Sequence, residues 1–207
     1  MNKRISILLS SLEKTRSTFW NISKETGLFL NQLIRTNNIK TVLEIGTSNG
    51  YSGIWLAEAL SQNAKLAKLN RRNASRSTTI TPKTCPTTFH LYTIESHKKL
   101  RFHLATENFA KANLTHHITQ ILGHAPDVIP KKPKHFDLIF LDATKYEHID
   151  YLKAILPRTR KGSIIITDNA LSHKKELAPY FKKVRSTKSL KTFLLPLGSG
   201  LLISVKT

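Results

Sequence analysis

The sequence predicts an α/β protein built on a doubly wound, mostly parallel sheet of seven strands that closes on an antiparallel hairpin. Two observations carry that prediction. Short, strongly apolar runs alternate with helix-like segments, the order that produces parallel βαβ units. The last two β-rich runs are separated only by Pro196-Leu197-Gly198-Ser199-Gly200, a turn that folds one strand back on the next. At 207 residues the chain suits one domain, and a hydrophobic fraction of 40% is ordinary for a packed protein. No apolar run approaches the ~20 residues needed to span a bilayer.

Taken in order, the N-terminus first imitates a short signal peptide, with Lys3-Arg4 ahead of an apolar stretch. Glu13 and Lys14 cut that stretch, and no small-residue cleavage site follows. Ile5, Leu8, Leu9 and Leu12 fall at i, i+3, i+4 and i+7, which predicts a packed helix; with Cys85 the only cysteine, a reducing, cytoplasmic compartment is the simpler expectation. A second helix is expected over residues 23–36, capped by Ser23. The first strand is Thr41-Val42-Leu43-Glu44-Ile45, the second Leu91-Tyr92-Thr93-Ile94-Glu95, and a third covers residues 117–122. Residues 136–141 and 163–167 are apolar enough to be strands buried on both faces. Helical patterns at 51–60, 97–113 and 146–156 lie between them, and residues 191–195 and 201–205 form the closing hairpin.

One segment breaks the rhythm. Residues 62–90 are rich in Ser, Thr, Asn, Lys and Arg, with Lys65, Lys68, Arg71, Arg72, Arg76 and Lys83 and no acid between Glu58 and Glu95. They read as a long basic surface loop, either functional or an insertion without a task. Across the chain 33 Lys and Arg face 13 Asp and Glu, a net charge of +20. Such an excess attracts phosphate-bearing partners such as RNA, and a generally basic proteome would produce it equally well. Cys85 is the only cysteine, which excludes an internal disulfide and a Cys-based zinc site.

The first chemical constellation follows strand one: Gly46-Thr47-Ser48-Asn49-Gly50, opening into a helix. Its glycines permit a tight turn, and the helix start offers free N–H groups to a ligand. It is neither a dinucleotide fingerprint, because Ser48 stands where the second Gly is needed, nor a phosphate loop ending in Lys-Ser/Thr. By itself it fits a structural turn as well. Glu95 sharpens it, since an acid ending the second strand can accept from both hydroxyls of a ribose. A carboxylate there suits an adenosine-containing ligand without a 2′-phosphate.

The second constellation uses two further strand ends. Asp142 follows the strand at 136–141, and Asp168-Asn169 follow the strand at 163–167. Ligands of open α/β sheets bind outside the carboxyl ends of the strands. Two carboxylates and an amide oxygen there make a hard-oxygen site suited to Mg²⁺, with room for water and substrate oxygens. Lys145, three residues past Asp142, is within reach of the same mouth as a proton acceptor.

These motifs resemble the metal-dependent O-methyltransferases typified by the catechol and caffeoyl-CoA enzymes and their small bacterial relatives, Rossmann-like proteins that use S-adenosylmethionine. The likeness covers about residues 20–206 apart from the basic segment. Residues 42–52 resemble the family's cofactor loop, 136–145 its metal-and-lysine segment, 162–169 its second metal segment and 195–201 its closing hairpin. The resemblance implies cofactor contacts from Glu44, Gly46, Ser48, Gly50, Ser52 and Glu95, with Ala125 and Asp142 beside them and Asn21 and Ile22 flanking the methionine end. It implies metal ligation by Asp142, Asp168 and Asn169, proton removal by Lys145, and a homodimer. The chain departs from the family at Thr144, His124 and Ser199, where many relatives carry Asp, and at His148, where many carry Tyr. The implied reaction is methyl transfer to a hydroxyl, either of a catechol-like small molecule or of a modified tRNA uridine, as in some bacterial relatives. A non-catalytic RNA- or cofactor-binding protein on the same fold is the alternative.

Overall fold

The computed structural model describes residues 2–77 and 89–207. Its elements run α1 (Lys3–Glu13), α2 (Arg16–Phe19), α3 (Lys24–Thr36), β1 (Thr41–Ile45), α4 (Tyr51–Ser77), β2 (His90–Glu95), α5 (His103–Ala112) and β3 (Ile118–Leu122). They continue with β4 (Leu138–Leu141), α6 (His148–Ile155), β5 (Ile164–Thr167), α7 (Ala178–Ser186), β6 (Leu190–Leu195) and β7 (Leu201–Lys206). The strands form one seven-stranded sheet in the order β3-β2-β1-β4-β5-β7-β6. The first five are parallel, and β7 runs antiparallel between β5 and β6. The doubly wound sheet and its closing hairpin are thus as the sequence predicts.

Alternation along each strand divides the core between two faces. Val42, Leu91, Leu138 and Phe140 pack with Leu30 and Ile34 of α3, Trp55 of α4 and Phe109 of α5. Leu43, Ile45, Ile139 and Leu141 pack with Leu152 and Ile155 of α6 and Val184 of α7. The N-terminal helix docks on the first face through Ile5 and Leu9, which are buried, with Leu8 and Leu12 against them. Ser23 caps α3 by accepting from Thr26 N–H at 3.1 Å.

The basic segment corrects the sequence reading. Instead of a loop beginning at residue 62, α4 continues to Ser77. Ala, Leu, Gln, Lys and Arg are all strong helix formers and no Gly or Pro interrupts them, so a polar composition here is a solvated helix face. Ala64 and Ala67 pack against the core, while Lys65 and Lys68 ride on the helix. Lys83 and Cys85 lie outside the described residues. The expected helix over 97–113 is preceded by a widened helical turn, Lys98–Phe102, before α5 begins. Helix α7, which the sequence reading did not anticipate, starts with Pro179 in its first turn, where the missing N–H costs nothing. Among the described residues no helix is long and apolar enough to cross a membrane.

Candidate active site at the carboxyl ends of the parallel strands

The strand order reverses direction at β1, which has β2 on one side and β4 on the other. Such a switch point opens a crevice beyond the strand ends, and a cavity of about 340 Å³ lies there. At one end it is lined by Asn21, Ile22, Gly46, Ser48, Ser52 and Glu95, and farther round by Ala125, Asp142, Lys145 and Asn169. The structure therefore brings most of the sequence-predicted residues to one space. Glu44, Gly50 and Asp168 do not line it.

The glycine turn is held by the protein's own atoms. Ser48, with left-handed backbone at φ 49°, donates its N–H to Glu95 Oε2 at 2.7 Å, and His97 N–H donates to Glu95 Oε1 at 2.8 Å. Glu95 is only 5% exposed, so each oxygen has one lone pair engaged and one left for a ligand. Ser48 Oγ donates to the Phe19 carbonyl at 2.9 Å, tying the N-terminal segment to the turn. Gly46 has φ 107°, and a Cβ there would stand 2.2 Å from the Asp142 carbonyl oxygen. Its glycine character serves the approach of β4's end as much as that of any ligand.

Glu44 lies beneath the turn, fully buried, where Thr93 Oγ1 donates to its Oε2 at 2.6 Å. Burial pushes its carboxyl up to about 7, against the pull of the Ser52 and Thr93 hydroxyls. It supports the cavity floor. Gly50 sits at φ 85° against the Phe109 ring.

The other end has the opposite character. Register sets Leu141 beside Thr167, and Asp168 N–H donates to the Leu141 carbonyl at 3.0 Å, so Asp142 and Asp168 leave adjacent strand ends side by side. Asp168 is 2% exposed, and among the described residues its Oδ1 has no hydrogen-bond partner. Burial and the neighbouring Asp142 charge push its carboxyl well above the usual carboxylate range. Asn169 follows in left-handed backbone at φ 63° and faces the cavity. Lys145 Nζ lies 3.0 Å from Asp142 Oδ1, with both side chains largely shielded from water.

A buried carboxylate oxygen without a donor, beside a second carboxylate and an amide, is the electrostatic condition a divalent cation relieves. The set is two carboxylates and one amide; among the described residues no group of three or more His, Cys, Asp and Glu could hold a metal. The closing hairpin braces this end, because Ala170 N–H donates to the Gly200 carbonyl at 2.9 Å and Leu171 N–H to that of Ser199 at 3.0 Å.

Sequence reasoning missed Trp20, Arg101, Tyr151 and His173 on the cavity wall. Trp20 carried a signal in its position beside Asn21; the others reach the wall only through tertiary folding. His124, a departure from the family pattern, also lines the cavity and meets Glu147 at 3.1 Å. His148, another departure, is fully buried and donates from Nδ1 to the Thr144 carbonyl at 3.0 Å. Burial pulls its imidazole down to about 4, so it is neutral at pH 7.

With this geometry in view, comparison with known proteins places the chain. It matches the family model described as "Methyltransferase domain" over residues 43–170 and that described as "O-methyltransferase" over residues 5–79. The chain belongs to the methyltransferase-domain family. It is similar to catechol O-methyltransferase of Niastella koreensis, at 30% identity over 160 residues, 75% of this chain and 61% of that protein. It is also similar to caffeoyl-CoA O-methyltransferase 1 of Arabidopsis thaliana, at 28% over 201 residues, 91% of this chain and 67% of that protein. The chain thus spans only about three fifths of the bacterial relative's length. The crystal structure of an O-methyltransferase from Bacillus cereus in complex with SAH superposes at TM-score 0.75, with 21% identity, over 100% of this chain and 92% of that one. The resemblance drawn from the motifs is borne out.

Proposed function

We propose that this protein is an S-adenosylmethionine-dependent O-methyltransferase whose acceptor is a hydroxyl of a catechol-like small molecule, with a divalent cation, Mg²⁺ in the first instance, held by Asp142, Asp168 and Asn169. The observation that carries the reading is the meeting, in one cavity of about 340 Å³, of the Glu95-anchored glycine turn with the Lys145–Asp142 pair.

The cofactor supplies an electrophilic methyl group on a sulfonium. A divalent cation, when bound, supplies Lewis acidity toward the acceptor hydroxyl. The chain does the rest. Glu95 offers its remaining lone pairs to the ribose hydroxyls, and the turn at Gly46–Ser48 holds the cofactor from below. Asn21 and Ile22 flank its methionine end. Asp142, Asp168 and Asn169 would hold the cation, and Lys145 Nζ, once it has given up its own proton to become the neutral amine, would take the proton of the acceptor hydroxyl. Holding donor and acceptor in line in a confined cavity removes much of the entropic barrier to transfer.

The net charge of +20 supports a second reading, in which the acceptor is a modified tRNA uridine. The exposed cations are divided, however: Lys65 and Lys68 stand on α4, and Lys182, Lys183 and Arg185 on α7, which packs on the opposite face of the sheet. These two clusters lie on opposite faces of the sheet and do not form one continuous track, so the small-molecule reading comes first.

Labelled cofactor incubated with a catechol panel and with hypomodified tRNA tests both. Label should pass to a catechol oxygen in Mg²⁺ and fail to do so in EDTA. Transfer undiminished by EDTA would remove the metal from the account, and label on tRNA alone would reverse the order of the two readings.

A further inference from the structure

Trp20 is poorly explained as a packing residue. It is 70% exposed, and its backbone is left-handed at φ 53°, which costs a non-glycine residue on the order of 1 kcal/mol. Its surroundings hold it there nonetheless. Ser48 Oγ donates to the Phe19 carbonyl at 2.9 Å, Arg16 Nε donates to the Asn21 carbonyl at 3.1 Å, and Asn21 Nδ2 donates to the Leu12 carbonyl at 3.0 Å. The backbone on both sides of Trp20 is pinned while the indole itself is left in solvent on the cavity wall.

The indole's partner comes from elsewhere in the chain. Arg101 lies in the widened helical turn Lys98–Phe102 that follows Glu95, and its guanidinium carbon stands 4.9 Å from the Trp20 ring centroid. That distance is within the range of a cation–π contact. The pair therefore joins the N-terminal segment to the segment after β2, and both partners line the same cavity as Ser48 and Glu95.

We propose that Trp20 and Arg101 form a clasp that retains the cofactor: the indole covers the ligand from the solvent side, and Arg101 is the positioning residue that holds the indole over it. The inference rests on the cofactor reading above. An indole over an adenosine-bearing ligand excludes water from its apolar surface, and it loses that position once the guanidinium no longer fixes it. The clasp slows release of the ligand.

The test is SAH binding to the full chain, by calorimetry and by tryptophan fluorescence. The chain has two tryptophans, and Trp55 is 2% exposed, so a ligand-dependent change in emission reports on Trp20. Wild-type protein should bind SAH with an emission change. Trp20→Ala should weaken binding roughly tenfold, the size of one desolvated cation–π contact together with its cover. Trp20→Phe, which keeps a ring, should restore binding to within about threefold, and Arg101→Gln should weaken it with no further loss in the double variant with Trp20→Ala. Thermal melts of all four variants should match wild type, since Trp20 makes little core contact. Wild-type binding that Trp20→Ala leaves within twofold, or single effects that multiply in the double variant, overturns the clasp alone. If wild type fails to bind SAH, the cofactor reading falls and the clasp with it.

Discussion

The two ends of the cavity solve opposite problems. At the glycine turn the polar groups that line the cavity are satisfied from within the chain: Glu95 takes backbone N–H groups from Ser48 and His97, and Ser48 holds the Phe19 carbonyl. The buried Glu44 beneath them keeps an Oε1 unpartnered among the described residues but has its carboxyl pushed up to about 7. At the carboxylate end the chain leaves a deficit. Asp168 keeps an unpartnered oxygen, its charge is opposed by burial and by Asp142, and the Lys145 ammonium pairs with Asp142. A preorganised cradle binds its ligand without rebuilding itself, whereas a charge deficit is a demand for something brought in. The difference is what the proposed function draws on in giving cofactor holding to one end and cation-assisted proton removal to the other.

The comparison breaks most readily at Lys145. Lys145→Met should lower kcat by about 10²–10⁴-fold while SAH affinity stays within a few-fold, because a proton acceptor contributes to the transition state and not to the cradle. Steady-state kinetics beside calorimetry separate the two. A matching loss of SAH affinity would merge the two ends.

Gly46→Ala tests the close backbone approach between the two ends. A Cβ at 2.2 Å from the Asp142 carbonyl forces β1 and β4 apart at their ends, at a cost of ~3 kcal/mol in urea unfolding, and both SAH binding and activity should fall.

His148 sharpens the carboxylate end. Its folded pKa of about 4 lies below the unfolded value of about 6.5, so the unfolded state binds the proton more readily in that window. The stabilisation is complete above pH 6.5 and is lost as pH falls toward 4, up to about 3 kcal/mol in all. His148→Phe should flatten that stretch of the stability profile, as read by urea denaturation between pH 7 and 4.5.

The smallest expected effect is at the cradle. Glu95→Gln keeps the shape but removes the charge, and its amide nitrogen cannot accept from the Ser48 or His97 N–H that it faces, so one of those two bonds is lost and, on the proposed reading, so is part of the grip on the ribose. SAH affinity should fall roughly tenfold, with cation binding unchanged.

Much of this was legible because strand ends are local features. An apolar run buried on both faces declares itself, and the residue that follows it must emerge at the carboxyl edge, which locates Asp142 and Asp168 from sequence, as the acid that ends the second strand locates Glu95. The same logic did not reveal that Glu44, one residue inside its strand, is fully buried, or that Asp168 is almost wholly shielded from solvent. Both depend on how neighbouring elements cover a side chain. The basic stretch after residue 61 misled because composition separates polar from apolar and not helix from loop; the apolar contacts of Ala64 and Ala67 that hold α4 there are too small to dominate a pattern. The Trp20–Arg101 contact joins positions far apart in the chain, and no spacing rule reaches it.

The central claim is that the carboxylate end is a cation site independent of the cradle. Titration of Mn²⁺ into the wild-type protein and into Asp168→Asn, followed by electron paramagnetic resonance, with SAH binding measured in parallel, tests it most directly. Wild type should bind one Mn²⁺, Asp168→Asn should bind it at least tenfold more weakly, and the two should bind SAH alike. Equal Mn²⁺ binding by both proteins, or none by wild type, would contradict it.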